Sequence, residues 1–233
     1  MGTDADGEAV SMRRVLIFSP HPDDLELSAG LLCHEAMRLG WTVSEVVLTD
    51  GSAGGVNTEE FHTEAHVARR ESEAKLSGKL LGINSTAFWR FKDGQLSAHQ
   101  PLAEKMAQAM LREIRPHAVV FPSIRDTHAD HVCTHRIVKA ALAQFPDAPH
   151  ELQYCFWGSD ASRNLTLTNR DGMRAKDRAI KCHQSQPVET YLRQRYGEPR
   201  VSHPTERFYC PTAPESARAL ARCGLRVTAT HAP

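Results

Sequence analysis

Short apolar segments alternate with longer amphipathic segments along this 233-residue chain, and this alternation constrains the fold more than any other feature. The run VLIFS at residues 15–19 is typical of a strand that is buried on both faces. Strands that alternate with helices of about 10–19 residues predict an α/β protein with a doubly wound, mostly parallel sheet and helices on both faces. The predicted strands are residues 15–19, 42–49, 87–91, 117–121 and 152–157, and the predicted helices between them are 25–39, 63–81, 101–115 and 132–144.

The region after residue 159 is less regular, and we interpret it as a C-terminal elaboration of the same domain. Helices are predicted there at residues 173–182, 190–195 and 214–223. Residues 1–12 hold Asp4, Asp6 and Glu8 and no basic residue, which is typical of a disordered acidic tail. We therefore predict one domain at residues 13–233 that follows a disordered tail at residues 1–12.

Charge and composition exclude several classes of protein. The 28 Lys and Arg residues balance the 28 Asp and Glu residues, so the chain lacks the basic surface on which nucleic-acid binding depends. No apolar run approaches about 18 residues, which excludes a membrane span. The six cysteines form no C-x-x-C pair and no signal peptide is visible, so we expect reduced thiols in a cytoplasmic protein.

The neutral total hides a basic C-terminal region. Residues 170–233 contain 12 Lys or Arg residues and 6 Asp or Glu residues, which gives a local net charge of +6. A solvated helical surface is the favoured explanation for such a bias. The alternative is a rim that attracts an anionic group of a substrate or an acidic neighbouring subunit.

The first predicted strand runs directly into Pro20-His21-Pro22-Asp23-Asp24. The carboxyl end of a central strand is where open α/β sheets bind ligands. The two prolines restrict the backbone and so fix the direction of His21. One Asp alone would be explained as a helix cap, but a cap requires neither the histidine nor a second acid. The pattern therefore favours a functional site in which one carboxylate binds a metal and the other faces a bound water.

A second polar cluster, at residues 126–131, follows the fourth predicted strand and contains His128 and His131. In a doubly wound sheet of strand order 3-2-1-4-5, the first and fourth strands are neighbours at the topological switch point. The loops that carry His21 and His131 would then face each other across the crevice. Two local clusters thereby become one candidate site.

Two histidines and one carboxylate with an open position match a catalytic zinc site. They also match the facial triad of non-haem iron(II) oxygenases. Oxygenases with the His-x-Asp spacing of His21 and Asp23 usually have a double-stranded β-helix, whereas this chain alternates strands and helices. Zinc-dependent hydrolysis is therefore the favoured interpretation. A non-catalytic sugar- or nucleotide-binding module on the same sheet is a further alternative.

These clusters, in register with the alternation, resemble those of the zinc-dependent N-acetylglucosamine deacetylase family, also called the LmbE-like or PIG-L family. The resemblance runs from about residue 14 to residue 186 and includes Arg70-x-x-Glu73 and Asp93-Gly94. It implies a Rossmann-like sheet. It also implies a hydrolase that removes the N-acetyl group from an N-acetylglucosamine-type amino sugar or glycoconjugate, with acetate and a free amine as products.

The resemblance further implies the metal ligands and the base. One Zn²⁺ per chain, or another divalent metal, would be held by His21, Asp24 and His131. Asp23 would act as the general base that takes a proton from the attacking water.

Four other residues receive roles from the same resemblance. The protonated ring of His128 would stabilise the oxyanion, and the Asp130 carboxylate would orient that ring. Arg70 and Asp93 would contact the sugar. The expected partner is a small amino-sugar molecule, and a homo-oligomer is left open.

Overall fold

In a computed structural model of the chain, the structure describes residues 13–158, 162–196 and 205–229. The disordered tail that we predict at residues 1–12 lies outside the described residues. Within the described part, none of the helices combines the length and the apolar character that crossing a membrane requires.

The central sheet contains five parallel strands in the order β3-β2-β1-β4-β5, which confirms the predicted order. The most central strand, β1, pairs on both sides, because its Val15 lies beside Val43 of β2 and Ala118 of β4. Burial on both faces explains the continuous apolar run of β1. The strands are β1 (Arg14–Ser19), β2 (Thr42–Thr49), β3 (Ser85–Phe91), β4 (Ala118–Pro122) and β5 (His150–Tyr154).

Four helices connect these strands, close to their predicted positions. Local signals set their ends: the Thr63 side chain accepts a hydrogen bond from the His66 amide at the start of α2, and Gly82 follows that helix with a φ of 76°. The helices are α1 (Asp24–Arg38), α2 (Glu64–Leu81), α3 (Gln100–Ile114) and α4 (Ala129–Leu142).

Helix α4 begins three residues earlier than the predicted start at residue 132. His128 is its N-cap, and the His128 ring accepts a hydrogen bond from the Asp130 amide. A ring nitrogen of His128 thus takes the place of the side-chain oxygen that usually caps a helix, which is why the sequence pattern did not indicate this start. As a result, Asp130 and His131 lie in the first turn of a helix rather than in the preceding loop.

The C-terminal region adds three helices and a second, three-stranded antiparallel sheet of order β7-β6-β8. The helices confirm the predicted elaboration, but the sheet was not predicted. Its strands have three or four residues each, which is too short for a period-two pattern to stand out. These elements are α5 (Arg170–Ile180), α6 (Val188–Tyr196), α7 (Ala213–Arg222), β6 (Leu165–Thr168), β7 (Thr205–Phe208) and β8 (Val227–Ala229).

Apolar layers cover both faces of the central sheet. Val15 and Ile17 of β1 belong to a layer that includes residues of α1, α5 and α7, whereas Leu16 and Phe18 belong to a layer that includes residues of α3 and α4. The alternation of side chains along a strand explains this division. The elaboration therefore packs on the face of the sheet that α1 covers, and α1 begins at the candidate site.

A buried ion pair joins the elaboration to the backbone of α1. Lys176 Nζ of α5 donates to Glu206 Oε1 of β7 at 2.6 Å and to the Leu27 carbonyl at 3.0 Å. The Glu206 carboxylate also accepts the amides of Leu31 and Leu32 at 2.8 and 3.0 Å. Both charged side chains are almost fully buried. Each charge is therefore matched by a partner of opposite charge and by backbone hydrogen bonds, as buried charges require.

Replacing Lys176 by methionine is expected to lower the free energy of unfolding by about 3–5 kcal/mol, because Glu206 would remain buried without its cation. The double variant Lys176→Met/Glu206→Gln should recover part of that loss, since it removes both charges. Urea denaturation of the three proteins measures the difference. A loss below about 1 kcal/mol in the single variant, the value of a surface ion pair, would contradict this prediction.

Candidate active site

The strand order places the ends of β1 and β4 side by side, and both polar clusters lie at these ends. The centroid of the His21 ring is 4.7 Å from that of His128 and 5.4 Å from that of His131. The predicted convergence of the two clusters is thereby confirmed. His21 and His131 are buried, whereas His128 is partly exposed and accessible to a ligand.

Asp24 lies between the two histidines that the resemblance assigns to the metal. Its Oδ2 is 3.1 Å from His21 Nδ1, and its Oδ1 is 3.2 Å from His131 Nε2. The backbone amide of His21 also donates to Asp24 Oδ2 at 2.8 Å, so the turn itself orients the carboxylate. The three side chains thus present nitrogen and oxygen donors within one small, buried volume.

Asp126 is a site residue to which the sequence analysis gave no role. Its Oδ2 lies 3.3 Å from His131 Nδ1, on the side of the ring away from Asp24. Its Oδ1 accepts the His128 amide at 3.0 Å. A carboxylate on the second nitrogen of a histidine fixes the ring and makes it a better metal ligand. The signal was available, because Asp126 belongs to the same short cluster as His131.

The surrounding carboxylates alter the protonation of the buried histidines. Burial alone would lower the pKa of His131, but Asp24 and Asp126 outweigh it and raise the pKa to about 9. Burial would likewise lower the pKa of His21, whereas hydrogen bonds with three carboxylates raise it well above its ordinary value. The potential at this point is therefore strongly negative and favours a bound cation.

Two observations show that the centre fits a divalent metal. Five buried carboxylates lie around the histidines, and among the described ion pairs only that of Asp23 with Arg70 joins this group to a Lys or Arg side chain. Among the described residues, His21 Nε2 and both ring nitrogens of His131 also have carboxylate oxygens 3.2–3.4 Å away but form no well-directed hydrogen bond with them. A metal ion would balance the charge and occupy donor atoms that are otherwise unsatisfied. The five carboxylates are those of Asp23, Asp24, Asp93, Asp126 and Asp130.

Among the described residues, two sets of three side chains have donor atoms that all lie within 4.8 Å of one another inside each set. One consists of His21, His128 and His131, and the other of His21, Asp93 and Asp130. Two of the predicted ligands, His21 and His131, thus belong to the first group. The full predicted set, with Asp24 as the third ligand, stays a prediction.

His128 differs from its two neighbours in its protonation. Burial and the positive charges of His21 and His131 lower its pKa below the ordinary value. Its Nδ1 accepts the Asp130 amide at 3.3 Å, so the proton of the neutral ring resides on Nε2. The ring therefore presents one N–H donor at Nε2, and its protonation during the reaction stays a prediction.

The described hydrogen bonds of the Asp130 carboxylate involve other groups than the His128 ring, and its predicted role in orienting that ring stays a prediction. Its carboxylate accepts the amides of Gly94 at 2.7 Å and Leu96 at 3.3 Å. Its Oδ2 lies 3.4 Å from His21 Nε2. The helical start at residue 129 places the Asp130 amide against His128.

Arg70 of α2 reaches the base that we predict. Its Nη2 donates to Asp23 Oδ1 at 3.0 Å, and its Nη1 donates to the Gly51 carbonyl. Arg70 is buried, so this contact is a fixed part of the site rather than a surface pair. The guanidinium orients the Asp23 carboxylate and lies on the cavity wall, where a sugar contact remains a prediction.

Asp93 follows β3 and also reaches the site. Its Oδ1 lies 3.3 Å from His21 Nε2, and its Oδ2 accepts the Ala53 amide at 2.9 Å. Burial alone would raise its pKa, but the hydrogen bond and charge of His21 lower it. Asp93 is therefore an ionised carboxylate on the cavity wall, available to a sugar hydroxyl.

Gly51→Ala is expected to reduce kcat/KM by about 10- to 100-fold, because an added Cβ would lie 2.7 Å from Arg70 Nη1 and displace that side chain from Asp23. Gly51 has a φ of +63°, so the substitution also strains the backbone. Gly40→Ala is the matched control, since Gly40 has a φ of +77° and no atom within 4 Å of an added Cβ. Both variants should lose thermal stability, and equal activities in the two would contradict the prediction.

These residues surround one open cavity of about 220 Å³. Its floor carries charged and imidazole groups, and one wall carries apolar and aromatic groups. A few polar groups that converge on a partly apolar cavity are the usual arrangement of a small-molecule site. The lining residues are His21, Asp23, Asp24, Leu27, Ala53, Gly54, Arg70, Asp93, Gly94, His128, Trp157, Gln186 and Tyr191.

Several known proteins are similar to this chain in sequence. The family model described as GlcNAc-PI de-N-acetylase (PIG-L) matches residues 16–142, a segment that contains all eight predicted site residues. The diacetylchitobiose deacetylase of Thermococcus kodakarensis is 27% identical over 190 residues, which cover 75% of this chain and 70% of that protein. The 1D-myo-inositol 2-acetamido-2-deoxy-α-D-glucopyranoside deacetylase of Rhodococcus opacus is 32% identical over 180 residues, which cover 64% of this chain and 62% of that protein.

The fold has solved counterparts. The structure of N,N'-diacetylchitobiose deacetylase from Pyrococcus horikoshii matches with a TM-score of 0.72 at 21% identity, and the match covers 88% of this chain and 85% of that chain. At this identity the likeness establishes the fold alone. The predicted Rossmann-like α/β architecture is therefore confirmed.

Proposed function

The chain belongs to the GlcNAc-PI de-N-acetylase (PIG-L) family, and we propose that it uses a bound zinc ion to deacetylate an N-acetylglucosamine-type amino sugar. Its relatives are deacetylases, and the chain is accordingly an N-deacetylase, a hydrolase of linear amides. The comparisons support neither the iron(II) oxygenase nor the non-catalytic sugar-binding module. One observation carries the mechanism: Asp23 opens into the same cavity as the histidine and carboxylate donors.

His21, Asp24 and His131 would hold the metal, with Asp126 fixing the His131 ring from the opposite side. Two histidines and one carboxylate leave an open position, which is the arrangement of catalytic zinc sites. When bound, the ion supplies a water molecule of lowered pKa and polarises the acetyl carbonyl. The negative potential of the five carboxylates supports the binding of a dication.

Asp23 moves the proton in this mechanism. Its carboxylate accepts a proton from the attacking water as the new C–O bond forms, and returns that proton to the nitrogen as the C–N bond breaks. Arg70 keeps one carboxylate oxygen in place through the contact at Oδ1, so Oδ2 is left for the water. Acetic acid and the amine result; the acid transfers its remaining proton to the amine, so acetate and the ammonium form of the amino sugar leave, and the Asp23 carboxylate is regenerated.

His128 stabilises the negative charge that develops on the acetyl oxygen. Because its Nδ1 is occupied by the Asp130 amide, the Nε2–H remains for donation to that oxygen. A neutral N–H donor suffices for this function when it is positioned in advance. The partial exposure of His128 at the cavity wall suits contact with a substrate.

The domain and compartment follow as further parts of the proposal. We assign residues 13–233 to one deacetylase domain, because the elaboration packs on α1 through Lys176 and Glu206. The six cysteines are free thiols, which suits a reducing, cytoplasmic location.

The test is acetate release from methyl N-acetylglucosaminide by the purified chain. We expect release in the presence of Zn²⁺, its loss after treatment with a chelator, and its return when Zn²⁺ is added. An oxygen-free control should release acetate at the same rate. Release that withstands complete metal removal, or no release from any N-acetylated amino sugar, would contradict the proposal.

A further inference from the structure

The rings of Trp157 and Tyr191 form one wall of the cavity, and the buried ring of Phe156 packs against both. The centroids of Trp157 and Tyr191 are 5.0 Å apart and those of Phe156 and Trp157 are 4.9 Å apart, and both pairs are edge to face. Phe156 is buried in a small apolar cluster with Leu27 and Val188, among others. This aromatic wall is therefore anchored in packed side chains and is not a set of loose surface rings.

Trp157 is the exposed member of the aromatic wall. It is 39% exposed, and of the large apolar side chains that are exposed in the described part of the chain, it is the one that lines the cavity. Because this ring borders the polar groups of the cavity, it presents apolar surface to a ligand bound there.

The backbone around Trp157 is tied to the catalytic residues. The amides of Phe156 and Trp157 donate to Asp126 Oδ2 at 2.8 and 3.2 Å, and Thr127 Oγ1 donates to the Trp157 carbonyl at 3.0 Å. The same Asp126 carboxylate contacts the ring of His131. The backbone that carries the indole is thus fixed relative to His131, and the edge-to-face contact with Tyr191 packs the ring itself.

The charges around the cavity favour a neutral ligand at this wall. The basic C-terminal region contributes Gln186 and Tyr191 to the lining, and neither is charged. Among the described lining residues the single Lys or Arg side chain is Arg70, whose charge is already paired with Asp23. The expectation that the basic region forms a rim for an anionic group therefore finds no support among these residues.

We propose that Trp157 and Tyr191 form a subsite for a neutral pyranose ring joined to the amino sugar that is deacetylated. The apolar C–H face of the ring would lie on the indole, since an aromatic face is electron-rich and attracts such hydrogens. This inference rests on the proposed function and names the substrate class of the same site: neutral oligosaccharides that contain N-acetylglucosamine, in preference to glycosides with an anionic aglycone.

The test compares N,N'-diacetylchitobiose, which has two neutral rings, with methyl N-acetylglucosaminide, which has one. In the zinc-loaded enzyme the disaccharide should have the higher kcat/KM. Trp157→Ala should lower the ratio of the two kcat/KM values by about tenfold, mainly through the KM of the disaccharide. Trp157→Tyr should keep most of the preference, and Leu102→Ala, an exposed apolar residue outside the cavity, is the matched control.

Calorimetric binding of both sugars to the zinc-loaded Asp23→Asn variant separates the subsite from the reaction. A preference for the disaccharide that Trp157→Ala removes in this background supports the subsite. Equal binding of the two sugars, a preference that survives Trp157→Ala, or tighter binding of N-acetylglucosaminyl malate than of the disaccharide would overturn it. Absence of acetate release with the binding preference intact would overturn the proposed function alone.

Discussion

Replacing Asp23 by asparagine is expected to lower kcat by about 10²–10⁴-fold while the protein keeps its metal. An amide cannot accept the proton of the attacking water, so the reaction would lose its base. The shape of the side chain is preserved, and the contact with Arg70 can be kept through the amide oxygen. Acetate release and metal content, measured on the same sample, test both halves of the prediction.

Two further measurements make the Asp23 result specific. Asp171→Asn is the same chemical change on an exposed residue of α5, and it should keep full activity. Thermal unfolding of Asp23→Asn shows whether the unpaired charge of Arg70 has destabilised the protein, since an unpaired buried charge is costly. If Asp23→Asn loses its metal in proportion to its activity, Asp23 is a ligand, and the assignments of Asp23 and Asp24 must be exchanged.

Replacing His131 by alanine is expected to abolish high-affinity metal binding and, with it, acetate release. His131 is fully buried between Asp24 and Asp126, so no other side chain can take its position without rearrangement of the site. Asp126→Ala should lower the affinity for the metal by about 10–100-fold, which is the usual effect of removing a group that orients a ligand. His131→Ala, which removes the ligand itself, should lower the affinity for the metal more than Asp126→Ala does.

The two affinities can be compared without an activity assay, by measuring the metal content of each variant after dialysis against increasing concentrations of a chelator. His135→Ala is the matched control, because His135 lies one turn further along α4 and its Nδ1 contacts the Pro122 carbonyl instead of the site. It should retain one metal ion per chain. Full occupancy in His131→Ala would exclude His131 as a ligand, and equal losses in His131→Ala and His135→Ala would point to damage of the helix.

Much of the fold was predictable because periodicity reports burial directly. The apolar run of β1 and the helical segments around it predicted the strand order, and that order predicted that His21 and His131 would meet. Short elements carry less information. Strands such as Val227–Ala229 depend on a partner strand far away in the sequence, so their formation follows from tertiary pairing rather than from local pattern.

The proximity of the predicted site residues followed from the strand order, whereas their individual contacts did not. Asp130 was expected at the His128 ring, and its carboxylate accepts the amides of Gly94 and Leu96. Arg70 was expected at the sugar, yet its nearest charged partner is Asp23, 47 positions away in the sequence.

The alternation of strands and helices, and the residue types at the ends of two central strands, could be read from the sequence. Both are local properties, which reflect the burial of each segment and the chemistry of adjacent side chains. Other contacts depend on the tertiary structure. They are the pairing of Asp126 with His131, the binding of Lys176 and Glu206 to the backbone of α1, and the position of Trp157 in the cavity that His21 lines. Most of these contacts join segments far apart in the chain, and they form only when packing fixes distances that no local pattern encodes.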